Sequence, residues 1–246
     1  MRLKKVKLLM KEYTIGLCCT AACLALLSAC GDGSVDHVNS RNQYENNSVF
    51  PPKIVGESSL PSVSELEFPY TISSNSIKLP DGTTLFINVE MTEGEFFDRS
   101  SPQYAQGMGM FDTNYLGFYR IAIYTDASHG DALYTMPVAF DTDKLNFEKE
   151  FSLMFDDYNN DGNPDFTIGQ WADANGSTYQ IFTVLPGGKI EQLACEGGLC
   201  ATSFEASIRL TKASPSSFSC EVYDIKTGKN VTLTYSWQED KFVLQE

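Results

Sequence analysis

Histidine is almost absent from these 246 residues; only His37 and His129 occur. A chain so poor in the side chain that titrates near neutral pH has little of the usual general acid–base capacity. His129, within Ser128-His129-Gly130-Asp131, reads as a solvated turn residue. There is no Gly-x-Ser-x-Gly elbow, no His-Glu-x-x-His helix and no phosphate-cradling glycine loop. Basic residues are scarce too, 18 against 32 acidic, which argues against nucleic acid as a partner, because its phosphates demand Lys and Arg. No window sustains a helical period, and no internal repeat is present. The residue pattern therefore carries no catalytic constellation. Carboxylates are abundant enough to supply a glycosidase pair, but nothing marks two of them as standing at catalytic separation.

What is present begins with an address. Arg2, Lys4, Lys5, Lys7 and Lys11 form a basic start, and an apolar run follows from Ile15 to Ala29. Those fifteen residues fall short of the roughly 20 needed to span a bilayer, which favours a cleaved signal over a transmembrane anchor. The run ends in Leu27-Ser28-Ala29-Cys30, which resembles the bacterial lipobox; Cys23 fits less well because Thr20 stands where a branched aliphatic residue belongs. The resemblance implies a signal peptide over residues 1–29 and a diacylglycerol thioether, with a further palmitate-like acyl chain, on Cys30. It places the mature protein outside the cytoplasm as a membrane-anchored lipoprotein of the cell envelope.

Removing the five basic residues and Glu12 of the signal leaves 13 basic and 31 acidic residues, a net charge of −18. Such a surface repels anionic headgroups and confines membrane contact to the anchor, while it attracts cations and basic partners. Three cysteines remain beyond Cys30. Cys195-Glu-Gly-Gly-Leu-Cys200 has the glycines to close a small disulfide ring. Cys220 alternates with Phe218 and Val222 and reads as a buried thiol.

From Gly31 to Pro61 the chain is rich in Asn, Ser, Asp and Gly, too polar to offset the entropy of ordering, and reads as a tether. Residues 62–246 read as a single all-β domain, a mostly antiparallel sandwich or propeller-like arrangement. Leu85, Ile87, Val89 and Met91 alternate with Phe86, Asn88 and Glu90, and Val231, Leu233, Tyr235 and Trp237, like Ala206, Ile208 and Leu210, alternate with polar neighbours; a period of two marks half-buried strands. Further strands are expected at 116–125, 132–140, 146–155, 166–171, 177–185, 217–224 and 241–245. Pro80-Asp81-Gly82, Pro186-Gly187-Gly188 and Lys226-Thr227-Gly228-Lys229 supply hairpin turns.

The most informative segment runs from Asp156 to Gly169. Counting Asp157 as position 1, oxygen side chains fall at Asp157, Asn159, Asp161, Asn163 and Asp165, with Gly162 at position 6. A loop bent around a hard cation presents alternate residues inward and needs glycine at its sharpest bend. Position 12 is Ile168 rather than Glu, which excludes an EF-hand. The pattern resembles the calcium loop of FG-GAP and VCBS repeats, which implies side-chain ligation by Asp157, Asn159, Asp161 and Asp165, and a backbone carbonyl from Asn163. The competing reading is an Asn/Asp-rich turn without metal. Three carboxylates brought together without a cation would repel one another.

A lipidated cysteine, a polar tether and a small β domain with one such loop together resemble calcium-containing envelope lipoproteins related to lysozyme inhibitors. That resemblance implies a non-enzymatic binding protein whose target is a protein, basic if charge guides the encounter, such as a lysozyme-like hydrolase. The alternative is a carbohydrate-binding module or weak glycoside hydrolase, for which exposed aromatic rings would be the sign.

Overall fold

The computed structural model describes residues 47–48, 66–142 and 144–245. The signal, Cys30 and nearly all of the tether lie outside the described residues. The chain divides into Met1–Ser40 and Arg41–Glu246, and every described residue belongs to the second unit. Among the described residues, no helix is long and apolar enough to cross a membrane.

The domain is all-β. One sheet runs β1 (Asn47–Ser48), β2 (Tyr70–Lys78), β3 (Thr84–Asp98), β4 (Thr113–Tyr124) and β5 (Tyr134–Val138), with β6 (Leu145–Phe147) also paired to β4. A single turn of helix, α1 (Pro102–Ala105), interrupts the β3–β4 connection. The remaining strands are β7 (Phe155–Asp156), β8 (Asp165–Asp173), β9 (Gly176–Leu185), β10 (Lys189–Cys195), β11 (Leu199–Ala201), β12 (Thr211–Ser214), β13 (Ser217–Asp224), β14 (Lys229–Gln238) and β15 (Lys241–Leu244). They order as β12-β13-β14-β15-β10-β9-β8-β7, with β11 also on β9. Neighbours are antiparallel except β10 and β15.

All three turn signals close hairpins. Asp81 receives the Thr83 N–H between β2 and β3; Gly187 and Gly188 take left-handed φ between β9 and β10, and Gly228 between β13 and β14.

The core has two parts. The inward face of β2–β4, including Ile72, Ile87, Val89 and Ile121, packs with Phe155, Phe166, Ile168, Phe182 and Val184 of the second sheet. On the other side of β8 and β9, Tyr158, Tyr179 and Ile181 pack with Leu199, Phe218, Tyr235 and Phe242. Both faces of β9 are thus buried, which is why Ile181-Phe182-Thr183-Val184 lacks the simple alternation of the outer strands.

Gly169 marks a tight approach inside this region. A Cβ there would stand 2.3 Å from Tyr179 Cε1. The Tyr179 ring cannot swing aside, because its hydroxyl donates to the Ser203 and Glu205 carbonyls at 3.3 and 2.9 Å. Gly169→Ala is expected to cost roughly 1–3 kcal/mol of stability as an overpacking change, measurable as a lowered urea midpoint at unchanged slope; an unaltered midpoint would show that the ring yields.

Several sequence expectations are corrected. Residues 206–210 form no strand. Side chains replace the ladder: Thr167 Oγ1 accepts from Ile208 N and donates to Ile208 O, both at 2.8 Å, and Ser207 Oγ accepts from Met154 N at 3.0 Å. The 146–155 stretch divides into β6 and β7 around an irregular segment, where Asn75 Oδ1 accepts the Leu153 N–H. Asn47–Ser48, read as tether, pairs with β2; backbone pairing needs no apolar side chain and leaves no trace in composition. The three cysteines are free thiols, so the structure does not contain the expected Cys195–Cys200 ring. Cys195 Sγ instead contacts the Gly198 carbonyl at 3.7 Å, and burial pushes its thiol up to about 12. Cys220 is buried in the second core, as its spacing predicts.

Candidate metal centre

Strands β7 and β8 pair through Phe155↔Phe166 and Asp156↔Asp165, and so close residues 157–164 into an eight-residue hairpin loop. The base is held by the Phe155 and Phe166 rings, edge to face at 5.4 Å. The loop reverses through two left-handed residues, Asn160 (φ 62°) and Gly162 (φ 86°). Asparagine tolerates that region and glycine enters it without steric cost.

Inside the bend, the alternating oxygen side chains collect the loop's own N–H groups. Asp157 Oδ1 accepts from Asp161 N at 3.2 Å, and its Oδ2 from Gly162 N at 3.1 Å. Asn159 Oδ1 also accepts from Asp161 N at 3.2 Å, while its Nδ2 donates to Asp161 Oδ2 at 2.9 Å. Asp161 Oδ1 takes the Asn163 N–H at 2.8 Å, and Asp165 Oδ2 takes the Tyr158 N–H at 2.8 Å. The structure therefore brings Asp157, Asn159, Asp161 and Asp165 around one loop. Asn163 joins them through its backbone. Asp156, one place earlier, accepts only the Asp157 N–H and stands outside the alternating set.

One atom in this group is left over. Asp165 is fully buried, and among the described residues neither its Oδ1 nor the hydroxyl of Thr183, paired across the ladder from it, makes a well-formed hydrogen bond. Burial pushes the Asp165 carboxyl up to about 7; the adjoining Thr183 hydroxyl and the Tyr158 N–H hold it back, and the charges of Asp161 and Asp157 push it further up. Once ionised, Asp165 is a buried carboxylate with one oxygen short of a well-formed hydrogen bond, which costs free energy, and a cation among these oxygens would offset that cost.

The loop is tied down from behind by residues the sequence reading did not single out. Tyr158 is fully buried, its hydroxyl accepts the Leu210 N–H at 3.0 Å, and its ring meets Phe218 edge to face at 5.7 Å. The Lys212 ammonium donates to the Asp157 carbonyl, and Arg209 donates to the Phe155 carbonyl at 3.3 Å. The aromatic at the second loop position was the available signal for Tyr158. Nothing in the sequence marked Lys212 or Arg209, which reach the loop only through tertiary folding.

Among the described residues, no three His, Cys, Asp or Glu side chains stand together as ready metal ligands. The hydrogen bonds explain this: the Asp157 and Asp161 oxygens are turned onto loop N–H groups and the Asn159 amide. The donor set nevertheless fits a hard cation. It is all oxygen, three of its four side chains are carboxylates, and Asp165 Oδ1 makes no well-formed hydrogen bond among the described residues.

A second polar cluster lies on the first sheet. Glu90, 2% exposed, accepts from Arg120 Nε at 2.9 Å, Tyr124 Oη at 2.6 Å and Asn88 Nδ2 at 3.3 Å. With these bonds the carboxylate is occupied as a strut between β3 and β4. His129 packs beside it, 5.0 Å from the Tyr124 ring, with Nε2 buried and unpartnered. This corrects the expectation of a solvated turn residue, because the φ of 52° at His129 folds the ring back onto Tyr124 and Phe86.

No protein-family model matches this chain, and no curated protein or solved structure is similar to it.

Proposed function

We propose that this protein is an envelope-anchored, non-enzymatic binding domain whose β7–β8 loop is held by a structural calcium ion. The observation that supports the ion is Asp165, fully buried with Oδ1 in no well-formed hydrogen bond among the described residues, at the end of a loop whose bend also gathers Asp157, Asn159 and Asp161. Side-chain oxygen from those four residues, with the Asn163 carbonyl, would hold the ion, which would offset their mutual repulsion and fix the loop. Such an ion has a structural role: it serves the packing of Tyr158 against the second core rather than a reaction.

The lipobox at Cys30 supplies the anchor. The charge of −18 after signal removal favours a basic protein as target, a lysozyme-like hydrolase being one such class. Capture from an envelope extract tests this. A basic protein is expected to co-purify with the intact chain in calcium and to be lost in chelator. Recovery of none, or of the same set with calcium and chelator alike, would remove the calcium-dependent partner from the reading.

A further inference from the structure

We infer that a second site, distinct from the calcium loop, binds a saccharide in the groove between β6, β8 and the 203–206 segment. The open groove holds about 100 Å³ and is lined by Trp171, Phe204, Asn146, Glu148, Lys149 and Glu205, among others. Two large rings stand exposed on it, Trp171 at 43% and Phe204 at 58%. In a domain whose other aromatics mostly fill the core, two such rings on one groove are an apolar surface that folding does not use.

The second observation is Asn146, only 7% exposed, with Oδ1 lacking any partner among the described residues. Its amide orientation is fixed by its neighbour. Asn114 Oδ1 accepts the Met110 and Phe111 N–H groups at 3.0 and 3.1 Å and so must be the oxygen. Asn146 can therefore offer it only Nδ2, at 2.9 Å, which leaves the Asn146 oxygen without a donor. A buried acceptor in this state calls for a donor from a ligand or a water.

The groove is also preorganised. Gly169 N donates to Ala206 O at 2.8 Å, and the Tyr179 hydroxyl holds the Ser203 and Glu205 carbonyls. Phe204 and Glu205 are thus presented on a pinned backbone rather than a loose loop.

The polar groups select among ligands. On the open wall Glu148 and Glu205 accept and Lys149 donates. A ligand of single charge meets a like charge somewhere in this set. A hydroxyl is donor and acceptor in one group, and a pyranose ring adds an apolar C–H face to lie on Trp171 or Phe204. A sugar satisfies all of these together.

The two tryptophans of the sequence are Trp171 and Trp237, so a Trp237→Phe background makes fluorescence report on Trp171 alone. The purified full chain is titrated in calcium with the tetramers of β-1,4-linked N-acetylglucosamine, glucose and xylose, and with an arginine-rich peptide. Saturable change in Trp171 emission with at least one tetrasaccharide is expected. By calorimetry, that affinity should fall at least tenfold in both Trp171→Ala and Glu205→Gln while the melting curve stays unchanged. No response to any sugar, binding that survives both substitutions, or a response to the peptide alone would overturn the inference. Repeating the titration with Asp161→Ala separates it from the calcium reading, since the groove residues lie outside the β7–β8 loop and should still bind.

Discussion

Calcium added to the metal-free protein is expected to raise its melting temperature, and chelator to reverse the rise. Ligand that binds only the folded state at a hundredfold over Kd adds about 2.7 kcal/mol. Extracellular calcium modules often bind at about 10⁻⁴ to 10⁻³ M, so millimolar calcium should deliver less than that. Magnesium, which prefers a tighter octahedral shell with retained waters, should stabilise far less. Asp161→Ala is expected to abolish most of the response, because it deletes one of the carboxylates around the loop. Asp156→Ala should keep it, since that side chain bonds only the Asp157 N–H outside the bend.

The same loop sets a pH dependence. In the metal-free folded state burial raises Asp165 to about 7, against about 3.9 in an unfolded chain. Between those values the folded protein keeps a proton that the unfolded chain has released, so stability without calcium falls as pH rises through the window and levels off above it. The span sets an upper bound on the order of 4 kcal/mol. Calcium takes the ionised form, so its stabilising effect should grow as the pH rises towards about 8. Denaturation curves in chelator and in calcium across this range would check both slopes. Coincident curves at every pH would show that the loop is only a turn.

The second large effect is on location. Cys30→Ala is expected to abolish uptake of labelled fatty acid and to leave either uncleaved precursor or soluble protein. Each buried methylene contributes about 0.8 kcal/mol, so two or three acyl chains hold firmly where a protein without them does not hold at all. With a net charge of −18 on the mature chain, no electrostatic attraction to anionic lipid compensates. Retained labelling in the variant would move the modification to another cysteine or reject it.

Much of the sheet structure was legible because an apolar face opposite a polar one writes itself as alternation. Leu85, Ile87, Val89 and Met91 of β3 lie in the first core, while Asn88 and Glu90 on the other face are buried but polar, and three turn signals each close a hairpin. Legibility failed where that physics does not apply. Ala206, Ile208 and Leu210 alternate like a strand, but their backbone is satisfied by the Thr167 and Tyr158 hydroxyls and by Gly169 N. The Asn47–Ser48 strand carries no apolar side chain to betray it.

At the candidate centre the oxygen spacing, Gly162 and the hairpin position were all readable in the sequence, since local bending depends on residues close in the chain. That Asp165 would be buried with one oxygen in no well-formed hydrogen bond was not readable. It depends on β9 and Thr183 across the ladder and on Tyr158 wedged against Phe218, contacts made by residues far apart in sequence. The groove is a stronger case: Trp171, Asn146 and Phe204 are unremarkable alone and meet only because β6, β8 and the 203–206 segment converge. The all-β character and the set of oxygens that alternate around one bend follow from periodicity and turn chemistry, which are local. Which polar atoms end up sealed from water without a well-formed hydrogen bond follows from packing, because burial is a property of the whole domain.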